Sequence, residues 1–526
     1  MSKVLVSDPI DQAGIDILSQ VATVDVKIGL KPEELVQIIG EYDALMIRSG
    51  TRVTKEIIEA GTQLKIIGRA GVGVDNVDVA AATRRGIVVV NSPEGNTIAA
   101  AEHAIAMMLS LSRYIPEANA SVKRGEWDRK SFIGAEVYKK TLGIIGLGKI
   151  GSHVAAVGKA LGMKLLAYDP FISTERAEQI GCQLVELDLL VRQADYITLH
   201  VPKTPETTHL IDAKMLAKMK PNVRIVNCAR GGIIDEEALA AAVREGRIAG
   251  AALDVFESEP LGDSPLKSLG KEIILTPHLG ASTTEAQVNV AIDVAEQIRD
   301  VLLGLPARSA VNIPGLGPDV LEELKPYMQL AETLGKLVGQ LAGGRVELLN
   351  VRLQGELATN KSQPLVVASL KGLLYQALRE RVNYVNATLE AKERGIRVIE
   401  TRDANIKDYA GSLRLEATGS LGTHSVTGAL LGDGEIRLTN IDGFPVNVPP
   451  SQHMLFTLHR DMPGIIGKLG SLLGSFNVNI ASMQVGRKIV RGDAVMVLSL
   501  DDPLPDGILA EITKVPGIRD AYTVTL

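Results

Sequence analysis

The stretch TLGIIGLGKIGSHVAAVGKALGMKLLAYDP, residues 141–170, decides how the chain is read. It begins with a short apolar run, TLGII, which predicts a buried strand. Gly146, Gly148 and Gly151 follow in the spacing G-x-G-x-x-G, and KIGSHVAAVGKAL carries a helical pattern. A second apolar run, KLLAYD, ends in Asp169. The glycine spacing alone is a weak signal. Strand, turn, helix, strand and terminal acid in that order make a strong one. In this frame Gly146 permits the tight turn, Gly148 admits a pyrophosphate, and Gly151 lets the helix pack on its strand. The helix N-terminus attracts the phosphate charge. An aspartate at the second strand end suits two ribose hydroxyls and repels a 2′-phosphate, so NAD is favoured over NADP.

Upstream, KVLVSD, DALMIRS, LKIIGRAG and GIVVVNS predict short buried strands, with helices over DQAGIDILSQ, KPEELVQIIGEY and VTKEIIEAG between them. That alternation predicts βαβ units and a parallel sheet, with functional residues at the carboxyl ends of strands. Arg48-Ser49, Gly71-Val72-Gly73 and Asn96 fall there. A helix is predicted from about 97 to 113 and a long one from about 284 to 303. Downstream of the glycine turn, ADYITLHVP, VRIVNCARGG, AGAALDVF and EIILTPH predict the strands of a second α/β set. PARSAVNIPGLGPD, rich in proline and glycine, predicts a linker. From about 317 a helix leads into alternating strands. From His453 the order strand, helix, strand, strand, helix, strand predicts a small ferredoxin-like module. The fold expected is α/β: two doubly wound parallel-sheet, Rossmann-like domains, then an α+β intervening domain and a ferredoxin-like βαββαβ domain.

Bulk properties exclude other classes. With 526 residues the chain exceeds one ordinary core, and 46% hydrophobic with 22% charged residues describes a globular protein. A net charge of −6 and 3% aromatics favour neither nucleic acid nor acidic membranes. Cys182 and Cys228 stand alone in sequence, so no disulfide framework or structural zinc site is expected. Cys228, in an apolar run, reads as a packed core thiol. The N-terminus begins as a strand, no segment reads as a membrane span, and the cytoplasm is the expected compartment.

A dinucleotide site makes hydride transfer the leading chemistry. Oxidising a secondary alcohol also needs a base for the hydroxyl proton and an anchor for an anionic substrate. IVNCARGGIIDEEAL (225–239) places Arg230 after an apolar run and against Gly231 and Gly232. DVFESEP holds Glu259 and TPHLGAS holds His278. Histidine suits proton exchange near neutrality, a carboxylate on its far nitrogen would fix the tautomer, and arginine suits a carboxylate. Taken singly, Arg230 and Glu259 also read as an ion pair and His278 as a core histidine.

In order, G-x-G-x-x-G, Asp169, ARGG, DVFESEP and TPHLGAS resemble the D-isomer-specific 2-hydroxyacid dehydrogenase family, over about residues 1 to 313. The resemblance implies a substrate-binding domain from 1–97 and 287–313 and an NAD-binding domain over 98–286. It implies that Arg230 binds substrate, His278 exchanges the proton and Glu259 orients His278. Residues implied at the cofactor are Gly146, Gly148, Lys149, Ile150, Gly151, Asp169, Cys228, Ala229, Arg230, Asp254, His278 and Gly280. Val72 and Val201 stand where some relatives have threonine, a change that backbone contacts tolerate.

IRSGTRVT, GRAGVGVDNVD and SPEGNTIAAAEH resemble those members of the family that act on 3-phosphoglycerate. Arg48, Ser49, Gly73 and Asn96 would then meet the substrate. GEWDRKSFIG would add Arg129 and Lys130 near the phosphate, from a neighbouring subunit. LHRDMPGIIGKLGSLLGSFNVNIASM resembles the start of an ACT domain, over 453–526. In this reading an L-serine effector sits between two such modules, with Asp461 and Asn479 holding its amino and hydroxyl groups and Gly464 and Ile465 its carboxylate. Residues 317–450 resemble the intervening domain of long-form members, and His424, Arg437 and Lys361 read there as surface residues. The implied activity is NAD-dependent oxidation of D-3-phosphoglycerate to 3-phosphohydroxypyruvate, the first step of L-serine biosynthesis. The resemblance also implies a homodimer or homotetramer, while the charge, aromatic content and cysteine spacing lead us to expect no metal and no nucleic-acid or membrane partner. A glyoxylate or hydroxypyruvate reductase and a non-catalytic NAD(H)-sensing protein are the rival readings.

Overall fold

A computed structural model describes residues 2–305, 307–313, 318–343, 345–358, 362–405, 409–432 and 434–526. The first sheet contains β1 (Ser2–Val6), β2 (Ala22–Val26), β3 (Ala44–Ile47), β4 (Ile66–Arg69) and β5 (Val88–Asn91), all parallel, in the order β2-β1-β3-β4-β5. Its central strands are apolar along their length because helices cover both faces; Val4, Leu5 and Val6 are fully buried. The edge strand β2 was not among the expected strands. Its sequence, ATVDV, alternates and is half exposed, which gives a weaker signal than a buried run.

The second sheet contains β6 (Thr141–Ile145), β7 (Lys164–Tyr168), β8 (Gln183–Leu184), β9 (Tyr196–Leu199), β10 (Arg224–Asn227), β11 (Gly250–Leu253) and β12 (Ile273–Leu275). It too is parallel, in the order β12-β11-β10-β9-β6-β7-β8. The order reverses between β6 and β9, where such sheets open a crevice at their carboxyl ends. The helix Thr97–Arg113 leaves the first sheet and buries Ala101, Ala104 and Met108 against the second. The helix Thr284–Leu302 returns and buries Val294 and Ile298 against the first. A Cβ on Gly68 of β4 would sit 2.5 Å from Val294, so glycine sets how close this helix lies.

The expected linker is not a free tether. Ala310 bridges Val90, the Val311 amide donates to Val89 O at 2.7 Å, and the Asn312 side chain bonds both Val89 N and Ile87 O. Residues 310–312 thus extend the first sheet, and backbone pairing overrides the local proline and glycine signal. Pro306 and 314–317 of that stretch lie outside the described residues, as does Lys361.

The third sheet joins β13 (Val346–Gly355), β14 (Arg397–Asp403), β15 (Gly411–Gly419), β16 (Gly422–Leu431), β17 (Glu435–Ile441) and β18 (Phe444–Val448) in the order β14-β13-β15-β16-β17-β18. Only β13 and β14 pair in parallel. The fourth sheet, β20-β21-β19-β22, is antiparallel, built from β19 (His453–Arg460), β20 (Ile480–Arg487), β21 (Asp493–Leu500) and β22 (Ile518–Thr525). With the helices Ile465–Ser475 and Ile508–Thr513 it is the expected βαββαβ module. Phe456, Val495, Val497 and Val524 on one face share a core with the third sheet. His424 and Arg437 are not simple surface residues. His424 Nδ1 meets Asp442 at 2.8 Å with its ring edge-on to Tyr522, and Arg437 Nε is buried. Among the described residues no helix is long and apolar enough to cross a membrane.

Candidate active site

The carboxyl ends of the two parallel sheets face one cleft. A cavity of about 250 Å³ there is lined by Val72, Asn96, Ile150, Cys228, Arg230 and His278, among others. The two glycines after Arg230 now have a reason. A Cβ on Gly231 would overlap the Phe256 carbonyl, so the β10 loop presses directly on the DVFESEP loop. Gly232 takes a φ of +77°, which favours glycine.

His278 Nδ1 lies 2.7 Å from Glu259 Oε2. The other Glu259 oxygen accepts from the Phe256 amide at 3.1 Å. The pair is half exposed to the cleft, at 48% for His278 and 37% for Glu259. A carboxylate on Nδ1 leaves Nε2 to exchange protons with a substrate. Arg230 pairs with Asp75 at 3.3 Å and not with Glu259, and Asp75 itself is 80% exposed. His278 is not a core residue. Its φ is +56°, uncommon for a residue with a Cβ and seen where surrounding structure enforces it.

Sequence reading missed Arg69. It ends β4 as Arg48 follows β3, beside Arg230. Burial pushes its guanidinium down to about 10, and the nearby Arg230 and Arg48 charges add to that. Side chains at Gly71 and Gly73 would overlap the Arg69 and Arg230 guanidiniums, so those glycines make room for them. Arg69 Nε and Asn96 Oδ1 are buried without hydrogen-bond partners among the described residues. The signal for Arg69 in the sequence is its strand-end position, which the glycines that follow it obscure. Asp8 holds the Arg48 amide at 2.6 Å, and Ser49 is exposed beside it.

The glycine turn suits a dinucleotide. Gly146 has a φ of +93°, and a Cβ there would lie 2.6 Å from His200 O. A Cβ on Gly151 would overlap Gly146 O, whereas one on Gly148 meets open space, the free approach a pyrophosphate needs. Asp169 directly follows β7 and accepts from Leu147 N and Phe171 N, both at 2.9 Å. A carboxylate has about four lone-pair sites, so acceptor capacity remains for ribose hydroxyls. Lys149 pairs with Glu94 across the cleft, and Ala229 O takes the Arg230 Nη1 hydrogen bond at 2.7 Å. Cys228 packs partly against the core of the second sheet and also lines the cleft, just after β10 ends. Asp254 is wholly buried, and its oxygens accept from Leu279 N, Gly280 N and Thr276 Oγ1. Arg129 and Lys130 are exposed on the loop after the helix Ile115–Lys123 and do not line the cavity.

A separate cavity of about 520 Å³ in the C-terminal module is lined by Asp461, Gly464, Ile465 and Arg487. A hydrogen bond from Arg487 at 2.9 Å holds the Asp461 carboxyl below the usual range. Asn479 is not there. It bonds Asp501 at 2.5 Å, at the opposite end of β20 and about 20 Å along the strand from Asp461. Asp461 and Asn479 thus lie apart within one chain, and the expectation placed the ligand between two modules.

Residues 105–280 match the model of the D-isomer specific 2-hydroxyacid dehydrogenase NAD binding domain. Residues 323–442 match the D-3-phosphoglycerate dehydrogenase intervening domain, and 453–517 the ACT domain. The chain is 75% identical over 527 residues to a D-3-phosphoglycerate dehydrogenase of Synechocystis sp., covering all of this chain and 95% of that one. It is 47% identical to the enzyme of that name in Methanocaldococcus jannaschii, with both chains fully covered. A glyoxylate reductase structure from Paecilomyes thermophila superposes at a TM-score of 0.55 and 31% identity, covering 59% of this chain and 98% of that one.

Proposed function

The chain belongs to the D-3-phosphoglycerate dehydrogenase family, and from that premise we propose that it oxidises D-3-phosphoglycerate to 3-phosphohydroxypyruvate with NAD, using Arg230, Glu259 and His278. The observation that carries this reading is the cleft itself. A histidine–carboxylate pair 2.7 Å apart opens onto a pocket lined by Arg230, and the Arg230 and Arg48 charges both act on the neighbouring Arg69. A phosphorylated carboxylate is the kind of anion such a cluster recognises, because guanidiniums stay charged and match both groups.

Arg230 holds the substrate carboxylate and the C2 oxygen. Arg48 and Arg69, with Gly73, Ser49 and Asn96, take the rest of the anion. Arg129 and Lys130 reach the phosphate from a neighbouring subunit, for which their exposed loop is available. His278 Nε2 accepts the C2 hydroxyl proton, and Glu259 stabilises the imidazolium that results. Bound NAD supplies the hydride acceptor. Gly146, Gly148, Lys149, Ile150, Gly151 and Asp169 hold it, while Cys228, Ala229, Asp254 and Gly280 shape its inner end. The domain over 98–286 carries these residues, and 1–97 with 287–313 carries the substrate side. L-serine is the effector of the 453–526 module, and the assembly is a homodimer or homotetramer because Asp461 and Asn479 can share one ligand only across two modules.

The test is NADH consumption with 3-phosphohydroxypyruvate against hydroxypyruvate and glyoxylate, with and without L-serine. Strong preference for the phosphorylated acid is expected. Equal rates would make the protein a general 2-ketoacid reductase, and no turnover would leave an NAD(H)-binding protein without catalysis.

A further inference from the structure

The left-handed backbone of His278 needs support, and one carboxylate supplies most of it. Asp254, at 0% exposure, accepts from Leu279 N at 2.7 Å and Gly280 N at 2.8 Å, the two amides that follow His278. It also accepts from Thr276 Oγ1 at 2.6 Å, two residues before it. Its backbone carbonyl takes the His278 amide at 2.9 Å. The loop that presents the imidazole is therefore wrapped around this one side chain.

A second side-chain donor comes from a different part of the chain. His103 Nε2 lies 3.2 Å from Asp254 Oδ1 and 3.4 Å from Thr276 Oγ1. It belongs to the helix Thr97–Arg113, which begins directly after Asn96 in the cleft. Burial pushes the Asp254 carboxyl up, but the hydrogen bonds, led by that from His103, hold it below its usual range. A buried carboxylate that loses one such donor stays charged and under-satisfied, which costs more than the bond contributed. His103, Cys228 and Asp254 also offer three ligand atoms within 4.8 Å of one another. Asp254 is already filled with donors, and burial and the Asp254 charge push the Cys228 thiol up, so the group serves as a hydrogen-bond network and not as a cation site.

We propose that His103 is a positioning residue for the dehydrogenase reaction: by donating Nε2–H to Asp254 it fixes the Thr276–Gly280 loop, and so aims His278 into the cleft. It does this from the helix whose start lines that cleft, which ties the substrate side to the proton-exchanging loop. The inference rests on His278 as the catalytic base. In a rigid constellation a small misplacement of the base costs up to about 10²-fold in rate.

The experiment uses the full chain with His103→Leu and His103→Gln, with steady-state kinetics on 3-phosphoglycerate and NAD, and NADH affinity by fluorescence titration. His103→Leu should lower kcat about 10- to 100-fold. KM for 3-phosphoglycerate and NADH affinity should stay within about threefold, the split expected when only transition-state geometry is lost. His103→Gln keeps an amide donor and should recover most of kcat. A simple packing contact would not be rescued by glutamine in this selective way. Unchanged kcat in His103→Leu, or a loss in NADH affinity as large as the loss in kcat, overturns the proposal. If His103→Leu does not fold, His103→Asn, which shortens the donor, carries the same expectation and the same disproof. His278→Ala is the control: if it retains turnover, the catalytic reading has failed instead.

Discussion

The catalytic cleft and the C-terminal cavity are both lined by charged side chains near helix or strand ends, yet they are built differently. In the cleft, groups from distant segments meet within one chain. His278 finds Glu259, Arg230 stands by Arg69, and Asp254 gathers donors from two stretches of sequence. In the C-terminal module, the two polar side chains implied in effector binding sit at opposite ends of β20, and each has its own charged partner, Arg487 or Asp501. The cleft is preorganised by one fold. In the C-terminal module the two residues lie apart, so under the proposed reading a ligand held by both needs two modules.

The most severe way to break the first half of this comparison is His278→Ala. Removing a positioned acid–base group lowers turnover by about 10²- to 10⁴-fold. NAD affinity should hardly change, and a fluorescence titration beside the kinetics checks both. Next comes Arg69→Met. Losing a charge-assisted hydrogen bond costs about 1.5–3 kcal/mol, so kcat/KM for 3-phosphoglycerate should fall by about one to two orders of magnitude. Turnover of unphosphorylated hydroxypyruvate should fall much less, and equal losses on both acids would remove Arg69 from the anion site. A smaller effect, about tenfold in NAD affinity, is expected of Asp169→Ala, with relaxed discrimination against NADP. Retained preference would reject that role.

The second half is sharpened by mixing subunits. Asp461→Ala and Asn479→Ala should each abolish the response to L-serine while leaving uninhibited turnover intact. Coexpressed, the two variants should recover part of the response, because some interfaces then pair an intact Asp461 with an intact Asn479. Isothermal titration with L-serine would read the recovered sites. No recovery would mean that the two residues do not share a ligand. The smallest expected effect is on stability. Hydrogen bonds hold Asp254 below its usual range, so its contribution is present above the ordinary carboxylate pKa of about 3.9 and fades as pH falls through the folded-state value. Thermal melts of Asp254→Asn should therefore show a lower Tm than the parent at pH 7, with the gap narrowing in acid.

Much of this architecture was legible in the chain. Strands buried on both faces leave continuous apolar runs, helices leave a 3.6-residue period, and the glycine turn leaves three glycines whose spacing follows from close backbone contacts. Those signals are local, so residues 141–170 sufficed for the turn, its helix and its terminal aspartate. The strand-end positions of Arg48, Arg230 and His278 were legible for the same reason. Where local and long-range forces diverged, the reading failed. Residues 310–312 look like a loop and pair with β5.

What the sequence determined by itself was the order of elements and the chemical types at strand ends, because both follow from propensity, periodicity and steric need along a short stretch. What only the tertiary structure decided was which of those groups meet. Arg69 lies one strand on from Arg48 in chain order and shares its charge environment with Arg230, some 160 residues on. His103, on an apolar helix, reaches a carboxylate about 150 residues away. Asp461 and Asn479, close in sequence, are carried apart by the length of a strand. Hydrogen bonds and charge act over a few ångströms of space whatever the separation along the chain, and the packing of sheets and helices alone sets those distances.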